Sequence, residues 1–91
     1  MKKYIIEREI PGVETLAGGD LRGAAATSNA ALAKLAGHVQ WQQSYVTPGK
    51  TFCVYLADDE AAVREHAKLS GFPANRITEV RGVIDPTTAN A

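Results

Sequence analysis

His66 and Cys53 are the side chains whose types point most directly to chemistry, and that chemistry is metal ligation. Imidazole binds nickel, zinc or copper well, and a thiolate is a soft ligand for the same ions. His66 stands in the run Arg64-Glu65-His66-Ala67, three residues after Val63 and four after Ala62, beside the apolar stripe of a helix. A lone helical imidazole is also a common boundary side chain bonded to backbone, and no second histidine at ligand spacing accompanies it. Cys53 is the one cysteine, so one chain forms neither an internal disulfide nor a multi-cysteine zinc motif. A single strand cysteine commonly packs as a small hydrophobe, and no cation beside it in sequence favours the thiolate. His38 follows Gly37, where a protonated imidazole suits the C-terminal end of a helix. Trp41, Tyr45 and Phe52 read as core. Gly18-Gly19 lacks the lysine and spacing of a phosphate-binding loop, Ser44 has no histidine in readable relation to it, and no nucleophile-elbow, zinc-protease or dinucleotide motif is present. The motifs therefore name no catalytic machine.

The 91 residues suffice for one small domain, read here as a single domain over residues 1–91. Such a domain buries roughly 60–65% of the surface of its unfolded chain, so a partner subunit would help cover apolar area. Ten Lys+Arg balance ten Asp+Glu. The surplus of cations on which nucleic-acid binding leans is absent, and so is any long like-charge block. The most apolar stretch, Ala24 to Gly37, is built on alanine and broken by Thr27, Ser28, Asn29 and Lys34. It falls short of the roughly 20 apolar residues of a membrane span. The opening Met-Lys-Lys-Tyr-Ile-Ile-Glu-Arg-Glu turns charged too soon for a secretory signal. Together with the lone cysteine this predicts a cytoplasmic protein.

Candidate ligands need elements to hold them. Lys2 to Glu9 alternates as a first strand, ended by Pro11-Gly12. Asp20 to Leu35 reads as a helix with Asp20 as N-cap, an apolar face of Leu21, Ala25, Leu32 and Leu35, and Gly37 just beyond its end. His38 to Val46 and Thr51 to Ala57 read as a hairpin closed around Thr47-Pro48-Gly49-Lys50. Asp58 to Ser70 reads as a second helix, capped by Asp58 or Asp59, carrying a Glu60–Arg64 pair and ended by Gly71. Ile77 to Asp85 reads as a fourth strand, followed by an irregular tail. The order βαββαβ predicts an α+β, ferredoxin-like fold: a four-stranded antiparallel sheet with two helices on one face.

Strand parity then predicts what each face carries. With Thr47 and Lys50 closing the turn, Tyr45 opposes Phe52, Gln43 opposes Val54 and Trp41 opposes Leu56. This large, apolar set is assigned to the helices. Ser44, Cys53, Gln42, Tyr55, Gln40 and Ala57 fall on the open face. On the first strand Tyr4, Ile6 and Arg8 make the better core set, leaving Glu7 and Glu9 open. On the fourth, Thr78, Val80, Gly82 and Ile84 face the helices and Glu79, Arg81 and Val83 do not. A one-residue slip exchanges the faces. An open face carrying Cys53 and Tyr55 suits cover by a second copy, with sheets packed face to face around a polar, ligand-sized interior.

The segments Ile6-Glu-Arg-Glu-Ile-Pro-Gly12, Trp41-Gln-Gln-Ser-Tyr45-Val, Lys50-Thr-Phe-Cys53-Val-Tyr55, Arg64-Glu-His66-Ala, Gly71-Phe-Pro-Ala74 and Ile84-Asp-Pro-Thr-Thr88 resemble, in order and spacing, a family of small bacterial proteins. Long labelled a domain of unknown function, that family includes a nickel-binding protein from actinobacteria. The resemblance covers nearly the whole chain. It implies a ferredoxin-like fold, a homodimer and nickel binding, and it implies no known reaction. The family-like positions able to ligate are His66, Cys53, Tyr55, Glu7 and Glu9, with His66 and Cys53 first on ligand chemistry. On the predicted faces His66 and Cys53 lie on opposite sides of the sheet, which calls for two separate sites, a site completed by another subunit, or a different strand register.

Two further readings stand beside nickel handling. One is a dimeric α+β barrel, an enzyme or small-molecule binder with its site on the open face around Gln42, Tyr55, Glu79 and Arg81. There Glu7 or Glu9 would act as a base if burial raised its pKa. The other is an interaction module that needs only its dimer surface. Fold alone does not choose among them.

Overall fold

Alternation of β-branched and aromatic residues makes Lys2–Glu9 the first strand, β1. The computed structural model describes residues 1–90 and continues with helix α1 (Gly18–Lys34), strands β2 (Val39–Thr47) and β3 (Lys50–Ala57), helix α2 (Glu60–Ser70) and strand β4 (Arg76–Val80). Short 3-10 turns occupy Val13–Thr15 and Pro86–Asn90. The strands form one antiparallel sheet in the order β2-β3-β1-β4, the α+β ferredoxin-like arrangement that the element order implies.

The helix ends follow local chemistry. Asp59 caps α2, its Oδ1 accepting from the Ala62 N–H at 2.9 Å, and Gly71 closes it at φ 79°. Asp58 is not the cap; its carboxylate is taken by His38. Helix α1 begins two residues before the expected start, after Ala17, with no side-chain cap, so Asp20 serves in the first turn instead. Its expected apolar stripe is also displaced. Ser28 and Ala31 are the buried residues, Leu32 and Leu35 pack in part, and Leu21 is largely exposed. A helix this rich in alanine has little amphipathic character, so small side chains settle its contact face.

Strand β4 is shorter than the sequence predicts. It pairs with β1 from Glu7↔Arg76 to Lys3↔Val80, and β1 offers little chain beyond. Arg81, Gly82, Val83 and Ile84 therefore leave the sheet, with Val83 and Ile84 strongly exposed. The tail is ordered rather than irregular over Pro86–Asn90, because Asp85 Oδ1 accepts from the Thr87 N–H at 2.9 Å; Ala91 lies outside the described residues.

The register of the hairpin is as expected at its turn. Thr47↔Lys50, Tyr45↔Phe52 and Gln43↔Val54 all pair. A β-bulge then intervenes, so Trp41 rather than Gln42 opposes Tyr55. The faces themselves are the reverse of the expected ones on β3, on β4 and on β2 from Gln43 to Tyr45, where Ser44 turns to the helices, while Trp41 before the bulge keeps its expected side. Cys53 pairs with Ile6 and Tyr55 with Tyr4, and all four are buried in the core under the helices. Phe52, Val54 and Leu56, with Tyr45, Gln43 and Ile5, occupy the open face. On β4, Ile77 and Glu79 take the helix side, while Thr78 and Val80 take the open one. The assignment of β1 holds: Tyr4, Ile6 and Arg8 are buried. The physical reason is that the covered face is not the greasier one. It carries a polar, hydrogen-bonded set that the helices complete.

Candidate functional site

The covered face of β1 and β3 brings Arg8, Thr51, Cys53 and Tyr55 beneath α1 and α2. Ser28 of α1 is the hub. Its Oγ lies 3.3 Å from Tyr55 Oη and 3.2 Å from His66 Nε2, and its carbonyl oxygen lies 3.3 Å from the same Nε2. A carbonyl only accepts, so Nε2 carries the proton and donates to Ser28, leaving Nδ1 with a free lone pair. Nδ1 has no partner among the described residues, although His66 is fully buried. Burial is the main reason the His66 pKa falls below its ordinary value; the nearby Arg8 charge adds to this, and the bond to the Ser28 backbone opposes it. His66 is therefore a neutral imidazole, tilted at 5.0 Å against the Tyr55 ring. Burial likewise raises the Tyr55 phenol, against the opposing influence of Ser28 and Arg8.

Arg8 is the unusual member. It is 2% exposed, and its Nη1 donates to the Pro73 carbonyl oxygen at 2.8 Å. The guanidinium lies 5.8 Å from the Tyr55 ring centre and 5.9 Å from that of Phe72, so two π faces stabilise it. None of the ion pairs among the described residues includes Arg8, and its Nη2 is buried without a partner.

A cavity of about 350 Å³ opens beside Arg8, between the sheet and the first half of α1. Ser28, Cys53 and Tyr55 line it with Trp41, Phe72 and Leu21, and its walls are mainly apolar. Trp41 Nε1 donates to Ser44 Oγ at 3.0 Å, which fixes the indole. This half-open cavity thus lies on the helix side of the sheet, not on the open face where the small-molecule reading expects it.

The five expected ligand positions divide between the two faces. His66, Cys53 and Tyr55 share the helix side rather than lying on opposite faces, and of the three only Tyr55 and His66 are shown in contact. The Cys53 thiol is buried, 3.4 Å from Thr51 Oγ1. Glu7 and Glu9 lie on the open side of β1. Glu7 sits 3.8 Å from both Lys50 Nζ and Arg76 Nε, and Glu9 is exposed. No group of three His, Cys, Asp or Glu side chains converges to hold a metal among the described residues.

Two site residues escaped the sequence reading. Ser28 shows there only as an interruption in an alanine helix. Arg8 does carry a signal, a charge at the inward parity of β1, but nothing in sequence shows that it lacks a counter-ion. His38 also differs from expectation. Its Nδ1 pairs with Asp58 Oδ2 at 2.6 Å, an exposed contact that leaves Nε2 open to another partner.

A family model described as nickel responsive protein SCO4226-like matches residues 4–80. The chain belongs to this family. Among solved structures, one titled as the crystal structure analysis of SCO4226 from Streptomyces coelicolor A3(2) is similar, with a TM-score of 0.73 at 20% identity, over 90% of this chain and 99% of that one. That likeness shows the fold. None of the curated proteins matches the chain. The family's matched span runs from β1 through β4 and takes in Arg8, Ser28, Cys53, Tyr55 and His66. No helix among the described residues is long and apolar enough to cross a membrane.

Proposed function

We propose that this member of the nickel-responsive family is a cytoplasmic, nickel-binding homodimer that sequesters or delivers the ion. The observation that carries the reading is family membership across the whole sheet. Nickel takes nitrogen, oxygen and sometimes sulfur donors, in square-planar or octahedral sets. The residues of one protomer do not fit such a set, because no three His, Cys, Asp or Glu side chains converge among the described residues. The coordination sphere in this proposal is shared by two copies. Glu7 and Glu9 lie on the open sheet face, and His38 offers an imidazole held by Asp58. His66, Cys53 and Tyr55 are enclosed and are the less accessible donors.

The open face supports the homodimer. Ile5, Phe52, Val54 and Leu56 lie side by side there, and no element of the chain covers them. Phe52, Val54 and Leu56 are half-buried beside the exposed Ile5 and Tyr45, a partly apolar surface that suits a second sheet packed against it.

The test is a calorimetric nickel titration of untagged, metal-stripped protein, with zinc as comparison and the assembly state measured in parallel. Stoichiometric binding at micromolar affinity or better, tighter than for zinc, supports the reading. Absence of heat and of retained metal overturns it. Unchanged binding in Glu7→Gln/Glu9→Gln and in His38→Ala removes these donors. The same result in His66→Ala and Cys53→Ala removes the enclosed pair.

A further inference from the structure

A guanidinium stays charged at any pH a protein meets, so burial does not neutralise Arg8 as it neutralises His66. A buried charge is ordinarily paired, since leaving it alone in a low dielectric is costly. Arg8 is 2% exposed, has no carboxylate partner among the described residues, and holds Nη2 without a hydrogen bond. Its one firm bond, to the Pro73 carbonyl, fixes the position of the group without cancelling its charge. The same residue lines the cavity of about 350 Å³. At about 30 Å³ per water in the liquid, that is room for about a dozen water-sized groups.

The rest of the cavity narrows the class of ligand. Val13, Leu16, Leu21, Trp41 and Phe72 supply a hydrocarbon wall, and Leu16 and Leu21 are exposed large hydrophobics at its rim. No lysine and no second arginine line it. One monovalent cation in an apolar chamber matches one monovalent anion on an apolar body. A phosphate dianion would ask for more donors than Arg8 has free.

We propose that the cavity under α1 binds a small apolar monocarboxylate, with the carboxylate on Arg8 and the hydrocarbon or aryl body against Trp41, Phe72 and Leu21. The carboxylate completes the unpaired charge of Arg8 at the cavity wall, while the body displaces water from the apolar walls. This site is separate from any nickel donor on the open face, and it stands or falls without the metal.

Metal-stripped protein is titrated with octanoate and phenylacetate, and with the alcohols of the same bodies, 1-octanol and 2-phenylethanol. Trp41 is the sole tryptophan and lines the cavity, so its fluorescence reports occupancy, and calorimetry gives stoichiometry. The expected result is saturable binding of at least one acid, one per chain, at least tenfold tighter than its alcohol. Arg8→Met should lose that preference, binding acid and alcohol alike, with the fold checked by circular dichroism. Ala25→Phe, which fills the cavity from α1, should abolish the Trp41 response and keeps the test decisive if Arg8→Met fails to fold. Equal affinity for acid and alcohol, full acid affinity in either variant, or no saturable binding of both acids to millimolar concentration overturns the proposal.

Discussion

Ser28 Oγ stands 3.2 Å from His66 Nε2, so one small buried hydroxyl ties α1 to α2. The same oxygen reaches Tyr55 Oη on β3, and the two helices and the sheet meet at this point. Ser28→Ala removes the hub and takes from the buried Tyr55 hydroxyl its Ser28 partner. The expected loss is about 1–3 kcal/mol, the usual cost of a buried polar group left unsatisfied. Urea unfolding followed by circular dichroism measures it; a midpoint equal to that of the unmodified protein would show that the hydroxyl contributes nothing.

His66 makes stability depend on pH in a defined direction. In the unfolded chain its imidazole titrates at the ordinary 6.5, whereas burial, aided by the Arg8 charge, lowers that value in the folded protein. Between the two values the unfolded chain binds more protons. Stability is therefore complete above the ordinary value, and it falls as pH drops from there through the folded value. The urea midpoint, followed from about pH 8 down to about pH 5, should decline, and His66→Gln should flatten that part of the curve.

Two glycines predict opposite signs for the same substitution. Gly71 ends α2 at φ 79°, and a Cβ there meets nothing within 4 Å, so Gly71→Ala loses only backbone comfort, about 1 kcal/mol. Gly23 lies within α1, and its Cβ position is equally open. Gly23→Ala should stabilise by about 0.5–1 kcal/mol. Thermal melting of both variants under one buffer condition checks the contrast.

Val54→Asp addresses the proposed dimer. Val54 sits between Ile5 and Gln43 in the middle of the open face, away from the buried core. A carboxylate there repels its counterpart across a two-fold interface and leaves the covered side intact. Sedimentation should show the monomer, with an unchanged far-ultraviolet spectrum. Persistence of a dimer would place the interface elsewhere.

Much of this architecture is legible in the amino-acid order. Asp59, Gly71 and the Thr47–Lys50 turn mark their boundaries through chemistry that acts over a few residues. β1 also reveals its inward side, because Tyr4 and Ile6 outweigh Arg8. The faces of β3 are not legible in the same way. Phe52, Val54 and Leu56 on one side and Cys53, Tyr55 and Ala57 on the other are both plausible interiors, and the β1–β3 pairing that decides between them is a long-range contact. The cavity escapes for a related reason: Arg8, Ser28 and Phe72 come from three elements, and only the fold makes them neighbours. A missing counter-ion leaves no mark in a sequence with ten cations and ten anions.

The bulge beside Trp41 gives β2 an uneven tolerance to the loss of a codon. Two residues, Trp41 and Gln42, stand opposite Tyr55 alone. Deleting Gln42 would leave Trp41 facing Tyr55 and Gln43 facing Val54, so the ladder closes over the gap and every neighbour keeps its side. Deleting Gln40 would instead draw Val39 out of the core and present it to the surface. Neighbouring in-frame deletions, alike on paper, would thus have very different fates.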